Sequence, residues 1–179
     1  TLSLHDALPI SHPGTFLREL QHSAAQQQAS AYMNFLVRED AETLLTENDF
    51  ARLFGFLTHD FAPGRATPWL TASVKDQYRA VWSHGLRGGC NYYRASPLRP
   101  PRPEDPAAAA VELPMHMLTI TLPTLVLWGA KDRLIPLAVA QRFANDIPGS
   151  RVVSFPALGH VPQEEDPAAT LAAVRPFLD

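Results

Sequence analysis

Two residues near the C-terminal end of the chain have the types needed for proton-transfer chemistry. Asp132 lies in Trp128-Gly129-Ala130-Lys131-Asp132-Arg133 and His160 in Pro156-Ala157-Leu158-Gly159-His160, twenty-eight positions apart. A carboxylate beside an imidazole fixes the ring tautomer and stabilises the imidazolium that forms when the ring takes a proton. That pair is the orienting half of a catalytic triad, and it needs a nucleophile to complete it.

The elements around the pair predict that it meets in space. Thr124-Leu125-Val126-Leu127-Trp128 is a continuous apolar run ending at Gly129, the pattern of a strand buried on both faces. Pro136 to Ala144 has helical spacing through Leu137, Ala140, Phe143 and Ala144, and Arg151-Val152-Val153-Ser154-Phe155 reads as a second strand. Asp166 and Pro167 form an N-cap and first-turn pair for a last helix through Leu171, Val174 and Leu178. Strand, helix, strand, helix implies parallel strands joined by a crossover. Both strands then end on one edge of the sheet, where open α/β folds place their sites, with Asp132 and His160 in the two loops there.

The N-terminal part reads differently. Pro13 suits the first turn of a helix through Phe16, Leu17 and Leu20, and a second helix carries Ala31, Phe35 and Leu36. Thr46, with Asp49 three residues on, predicts a cap before Phe50, Leu53, Phe54 and Leu57. Val74, Tyr78, Val81 and Trp82 mark a fourth helix, and a short fifth is expected from Asn91 to Ala95 after Gly88-Gly89. Between the two parts, Pro97, Pro100, Pro101, Pro103 and Pro106 exclude a regular helix or central strand and predict a stiff, extended connector.

Composition narrows the function classes. In 179 residues, 46% are hydrophobic and 18% charged, and the net charge is −3, which argues against nucleic-acid binding, a membrane surface and intrinsic disorder alike. No apolar run approaches the roughly 18 residues needed to cross a bilayer, and no secretory leader is recognisable. Cys90 is the single cysteine, so an internal disulfide is impossible, and no Cys/His cluster assembles into a metal site. A cytoplasmic protein without metal or cofactor is the expectation.

Leu125-Val126-Leu127-Trp128-Gly129-Ala130-Lys131-Asp132-Arg133-Leu134-Ile135-Pro136 and Gly159-His160-Val161-Pro162-Gln163-Glu164-Glu165 resemble the acid and histidine motifs of the α/β-hydrolase superfamily. The helical part resembles the lid, or cap, that these enzymes insert before those strands. Within it, Gly88-Gly89-Cys90-Asn91-Tyr92-Tyr93-Arg94-Ala95 is similar to the cap motif of the epoxide hydrolase and haloacetate dehalogenase branch. Ala31-Tyr32-Met33-Asn34-Phe35-Leu36 stands where epoxide hydrolases carry the other cap tyrosine. The resemblance runs from about Ser11 to Asp179.

The resemblance implies the C-terminal portion of an α/β-hydrolase fold: residues 11–96 a helical cap, 97–122 the Pro-rich connector, and 123–179 two parallel strands with flanking helices. The N-terminal half of the sheet is expected to be missing, since no Gly-x-Ser-x-Gly, Gly-x-Asp-x-Gly or His-Gly-x-Pro occurs. Residues 1–10 look foreign to the family. In that branch an aspartate attacks the epoxide or alkyl halide carbon, and the histidine activates water to hydrolyse the alkyl-enzyme ester. By resemblance His160 and Asp132 take the water-activating and orienting roles, while Tyr32 and Tyr93 hold the epoxide oxygen. The haloacetate dehalogenases prefer a histidine and tryptophan pair in the earlier cap helix, and none stands near Tyr32.

The implied partners are water and a small-molecule epoxide, halide or ester, with association of copies through the cap left open. The isolated chain is expected to be inactive, its sheet faces apolar and wet. A dehalogenase or a serine esterase of the same fold is the alternative, decided by the identity of the nucleophile. A non-catalytic helical interaction module is another. Among secondary features, Tyr92 is expected to be the core member of its pair with Tyr93, and Glu164-Glu165-Asp166 a solvated helix start. His12 is expected at the cap entrance, and Met115-His116-Met117 carries no metal on spacing alone.

Overall fold

A computed structural model of the chain describes residues 12–60, 66–114, 116 and 118–178. The foreign-looking leader, Met115 and Met117 lie outside the described residues. The helical part begins with α1 (Pro13–His22), where Pro13 occupies the first turn, as its missing N–H and fixed φ favour. His12 stands immediately before the helical part and caps this helix. Its Nδ1 accepts from the Thr15 amide at 3.2 Å, so Nε2 carries the proton and donates to the Leu118 carbonyl at 2.7 Å.

Two short helices follow, α2 (Ala24–Ala29) and α3 (Ala31–Leu36), the first not predicted. Ser23 caps α2 by accepting from the Gln26 amide at 3.3 Å. The next helix, α4 (Ala41–Gly55), starts earlier than Thr46 predicts, directly after Asp40, and runs into a π-turn over Phe56–Asp60. Thr46 caps nothing: its hydroxyl donates back to the Thr43 carbonyl at 2.8 Å. The helix is interrupted just beyond, where Glu47 is extended and Asn48, Asp49 and Phe50 take left-handed backbone angles. The helix start expected at Thr46 is therefore not found, and a kink over Glu47–Phe50 lies just beyond it.

Thr71 caps α5 (Ala72–Trp82), accepting from the Val74 amide at 3.3 Å. The last helix of this part, α6 (Arg87–Ala95), begins four residues before the predicted Asn91 and takes in both Gly88 and Gly89. Its phase decides the tyrosine pair. Cys90 is buried, and Tyr93, three residues on, shares its face, whereas Tyr92 lies two residues on at about 200° around the axis and is 70% exposed. Tyr92 is thus the surface member, contrary to expectation. Cys90 packs with Ala41 and Leu45 under Phe35, Leu36, Leu53, Phe56 and Leu86, and this burial pushes its thiol up, away from reactivity. The aromatic rings of Phe50, Phe54 and Tyr78 gather around Trp82, which fills the helical layer.

The Pro-rich segment is strapped down along its length. Asn34 donates to the Pro100 carbonyl at 3.1 Å, Arg99 pairs with Asp105, and Gln21 donates to the Ala109 and Val111 carbonyls. It tightens into a 3₁₀ turn over Pro106–Ala110.

The C-terminal part has the predicted order of β1 (Leu125–Gly129), α7 (Leu137–Asp146), β2 (Arg151–Phe155) and α9 (Pro167–Leu178), with a one-turn α8 (Pro162–Glu165) before α9 that was not predicted. β1 and β2 pair in parallel, in register from Leu125 opposite Arg151 to Gly129 opposite Phe155. Asp166 caps α9 as predicted, its carboxylate accepting from the Ala169 amide at 2.9 Å. Val139, Ala140 and Phe143 of α7 form a core with Phe16, Trp128, Ile135 and Leu137, so α1 and β1 share one apolar cluster. Polar clasps fix the same contact. Glu19 pairs with Arg142 at 2.6 Å, and Asp146 receives both the Thr15 hydroxyl and the Arg18 guanidinium. Leu171 and Leu178 on α9 and Val152 on β2 remain exposed. Among the described residues, no helix is long and apolar enough to cross a membrane.

Candidate active site

The parallel register brings the two loops to one edge, and glycine lets them touch. A Cβ built on Gly129 would overlap the Gly159 carbonyl oxygen and lie 2.5 Å from that of Leu158. Backbone bonds then stitch the loops: the Ala130 amide donates to the Phe155 carbonyl and the Lys131 amide to that of Leu158, each at 2.9 Å. Side chains in these loops have little freedom to drift apart.

Asp132 and His160 meet there. His160 Nδ1 lies 2.9 Å from Asp132 Oδ2, and the carboxylate side chain is 3% exposed against 28% for the imidazole. An ionised carboxylate only accepts, so Nδ1–H donates and the neutral ring keeps Nε2 as its basic nitrogen. The other oxygen of Asp132 accepts from the amides of Leu134 at 2.8 Å and Ile135 at 3.0 Å. These bonds orient the carboxylate and compensate for its burial. The arrangement can hold an imidazole in one tautomer and stabilise it when it takes a proton.

The helical part approaches from the other side. Tyr32 on α3 and Tyr93 on α6 face each other edge to face, ring centroids 6.0 Å apart. Burial pushes the Tyr32 phenol up from its ordinary value of 10.0, and its neighbours Tyr93 and Asp132 push the same way. Burial also raises Tyr93, against a hydrogen bond from Tyr32 that lowers it. Both phenols are therefore protonated at neutral pH, as hydrogen-bond donors must be. A cleft of about 520 Å³ opens beside Tyr32, lined by Ala25, Gln28, Ala29, Arg133, Leu134 and Pro136. It lies between α2–α3 and the Asp132 loop.

Three contributors escape the sequence reading. Gln26, in a run of three glutamines, is fully buried and donates to the Leu134 carbonyl at 2.7 Å and to Ser30 at 2.9 Å. It ties α2 to the Asp132 loop. Gly129 registers in sequence only as a strand end. Glu165 is no solvated helix start: its carboxylate accepts from the Gly159 amide at 2.9 Å and the Val161 amide at 3.3 Å. The capping-box place, the third helical residue after Val161, belongs to the exposed Glu164, so residue type and spacing did not mark Glu165. Glu164 remains exposed, as expected.

The chain is similar to proteins of known name. Human epoxide hydrolase 4 is 30% identical over 134 residues, which is 73% of this chain and 33% of that protein. A 2-hydroxy-6-oxononadienedioate/2-hydroxy-6-oxononatrienedioate hydrolase of Cupriavidus pinatubonensis is 41% identical over 59 residues, 33% of this chain and 20% of that protein. The crystal structure of Bacillus megaterium epoxide hydrolase with an inhibitor superposes with a TM-score of 0.72 at 27% identity, covering 92% of this chain and 56% of that one. The chain thus spans about half the length of the epoxide hydrolase structure it matches. The family model of the alpha/beta hydrolase fold matches residues 12–167, and with the parallel strands and loop geometry above, the chain belongs to the alpha/beta hydrolase fold family.

Proposed function

We propose that the chain carries the acid–histidine half and the lid of a cofactor-free hydrolase that opens epoxides with water. The observation that carries this reading is the 2.9 Å Asp132–His160 pair, with Tyr32 lining the cleft that the Asp132 loop borders. Residues 11–96 act as the cap, 97–122 as its connector and 123–179 as the end of the hydrolase core. Likeness to the human and Bacillus epoxide hydrolases over most of the chain supports the assignment to that branch.

The nucleophile is an aspartate on a strand–elbow segment that these 179 residues do not contain, for which no Gly-x-Asp-x-Gly occurs here. Its carboxylate oxygen attacks an epoxide carbon, the carbon–oxygen bond of the ring breaks, and an alkyl-enzyme ester forms. Tyr32 and Tyr93 donate to the ring oxygen as its charge develops, and one of them surrenders its proton to it. His160 Nε2 then takes a proton from water, Asp132 stabilises the imidazolium, and the hydroxide attacks the ester carbonyl. Collapse releases a 1,2-diol and restores the carboxylate, while the imidazolium proton returns to the tyrosinate. The 179-residue chain alone does not turn over.

A second reading is favoured by the 41% match to the Cupriavidus hydrolase over 59 residues. An acid–histidine pair of this kind also serves a serine nucleophile, which would direct the enzyme to acyl substrates. The test is diol release from a terminal epoxide by protein expressed from the complete reading frame. Asp132→Asn, His160→Ala and the Tyr32→Phe/Tyr93→Phe double variant should each abolish it. Ester cleavage without diol formation would select the serine reading. Neither activity in the wild-type protein, with partner binding that survives Asp132→Asn and His160→Ala, would leave a non-catalytic interaction module.

A further inference from the structure

The loop that carries His160 is held from two sides, and only one of them is the partner carboxylate. His160 follows Gly159, the residue type with the widest choice of backbone angles, so the loop is intrinsically loose where the imidazole must be aimed. Glu165 sits one turn away on α8. Both its oxygens lie 2.9 Å from the Gly159 amide, and Oε1 is also 3.3 Å from the Val161 amide. These amides belong to the residues immediately before and after His160. On its other side the Gly159 carbonyl abuts Gly129, so the peptide planes flanking His160 are fixed by a carboxylate in front and a bare glycine behind.

We infer that Glu165 is a positioning residue for His160, its carboxylate clamping the Gly159 and Val161 amides so that Nδ1 stays aligned on Asp132. The inference rests on the reading of Asp132 and His160 as the proton relay. Glu165 touches no reacting atom in this scheme and acts only through the loop. Bonds from backbone amides to an ionised carboxylate are about twice as strong as neutral ones, which suits a clamp that must offset glycine's freedom.

The test uses protein expressed from the complete reading frame and needs no turnover. Two readouts are followed by NMR: the downfield Nδ1–H resonance of His160 in its bond to Asp132, and the exchange rates of the Gly159 and Val161 amides. In Glu165→Ala, exchange at these two amides should accelerate at least about tenfold, and the Nδ1–H resonance should broaden away, while the β2 amide of Val153 keeps its rate. Glu165→Gln keeps the shape and one accepting oxygen at the Oε1 position, so it should restore the resonance and most of the protection. Unchanged exchange and an unchanged resonance in Glu165→Ala would overturn the inference. So would acceleration spread equally to Val153, which would mark Glu165 as a contributor to global stability only. A wild-type chain with no Nδ1–H resonance would count against the relay itself, and the exchange rates at Gly159 and Val161 would still decide the clamp.

Discussion

Replacing Gly129 with alanine tests whether contact between the two loops builds the site. The added methyl meets backbone, not a flexible side-chain tip: the carbonyl oxygen of Gly159 overlaps it, and the Leu158 carbonyl oxygen and carbon lie 2.5 and 2.6 Å away. Ordinary contact needs roughly 1 Å more at the Leu158 atoms and about 1.5 Å more at the Gly159 oxygen, so one loop must retreat by about 1–1.5 Å. Retreat stretches the Lys131-to-Leu158 and Ala130-to-Phe155 bonds, both 2.9 Å, beyond useful length. Overpacking costs about 1–3 kcal/mol and each lost backbone bond about 1 kcal/mol, giving about 3–5 kcal/mol in all. That is a large share of the roughly 5–15 kcal/mol by which a domain is stable. Urea unfolding of Gly129→Ala should show the loss as a lowered midpoint at unchanged slope. The same shift carries Asp132 away from His160, so the Nδ1–H resonance should disappear even in molecules that remain folded. A variant within about 0.5 kcal/mol of wild type, with that resonance intact, would refute the reasoning.

Three further substitutions probe the supports of the site. Gln26→Met removes the bond to the buried Leu134 carbonyl but also the Gln26 Oε1 that finds no protein partner, so the net loss should be about 1–2 kcal/mol in urea unfolding. Burial and its neighbours hold the Tyr32 phenol above its ordinary value of 10.0, so its contribution to stability is whole below pH 10 and is lost as pH rises further. Wild type should therefore lose up to about 1.4 kcal/mol per pH unit more than Tyr32→Phe in alkaline unfolding titrations. Asp146 runs the other way. Burial would raise it, but the Thr15 hydroxyl and Arg18 prevail and hold it below its ordinary 3.8, so its contribution is present above that pH and fades as pH falls through the lower folded value. Thermal unfolding should find Asp146→Asn less stable than wild type at pH 6, with the difference closing toward pH 2.

The meeting of Asp132 and His160 was legible because topology alone dictates it. A strand, a helix and a second strand in that order make parallel neighbours, and parallel neighbours put Asp132 and His160 on one edge whatever the details of packing. β2 spans the predicted Arg151–Phe155, and Asp166 caps α9 as its residue type suggests. The choice between Tyr92 and Tyr93 depended on helix phase, and phase depended on a start at Arg87 that two glycines concealed. Thr46 failed as a cap because Asp40 and Ala41 begin the helix earlier, with Ala41 and Leu45 buried against Cys90. Gln26 and Glu165 were illegible for another reason. Their partners are backbone groups, 108 residues away for Leu134 and four and six away for Val161 and Gly159, and a backbone group leaves no residue-type signature in sequence.

The central claim is that His160, oriented by Asp132, hydrolyses a covalent ester in an epoxide-opening enzyme. It is tested most directly by mass spectrometry of the His160→Ala protein, expressed from the complete reading frame and mixed with a terminal epoxide. Without the base that activates water, the ester should accumulate, and the protein mass should rise by that of one epoxide, with the label on an aspartate. Wild type under the same conditions should release diol and carry no lasting adduct. Steady turnover by His160→Ala with no adduct, or an adduct on serine, would contradict the account.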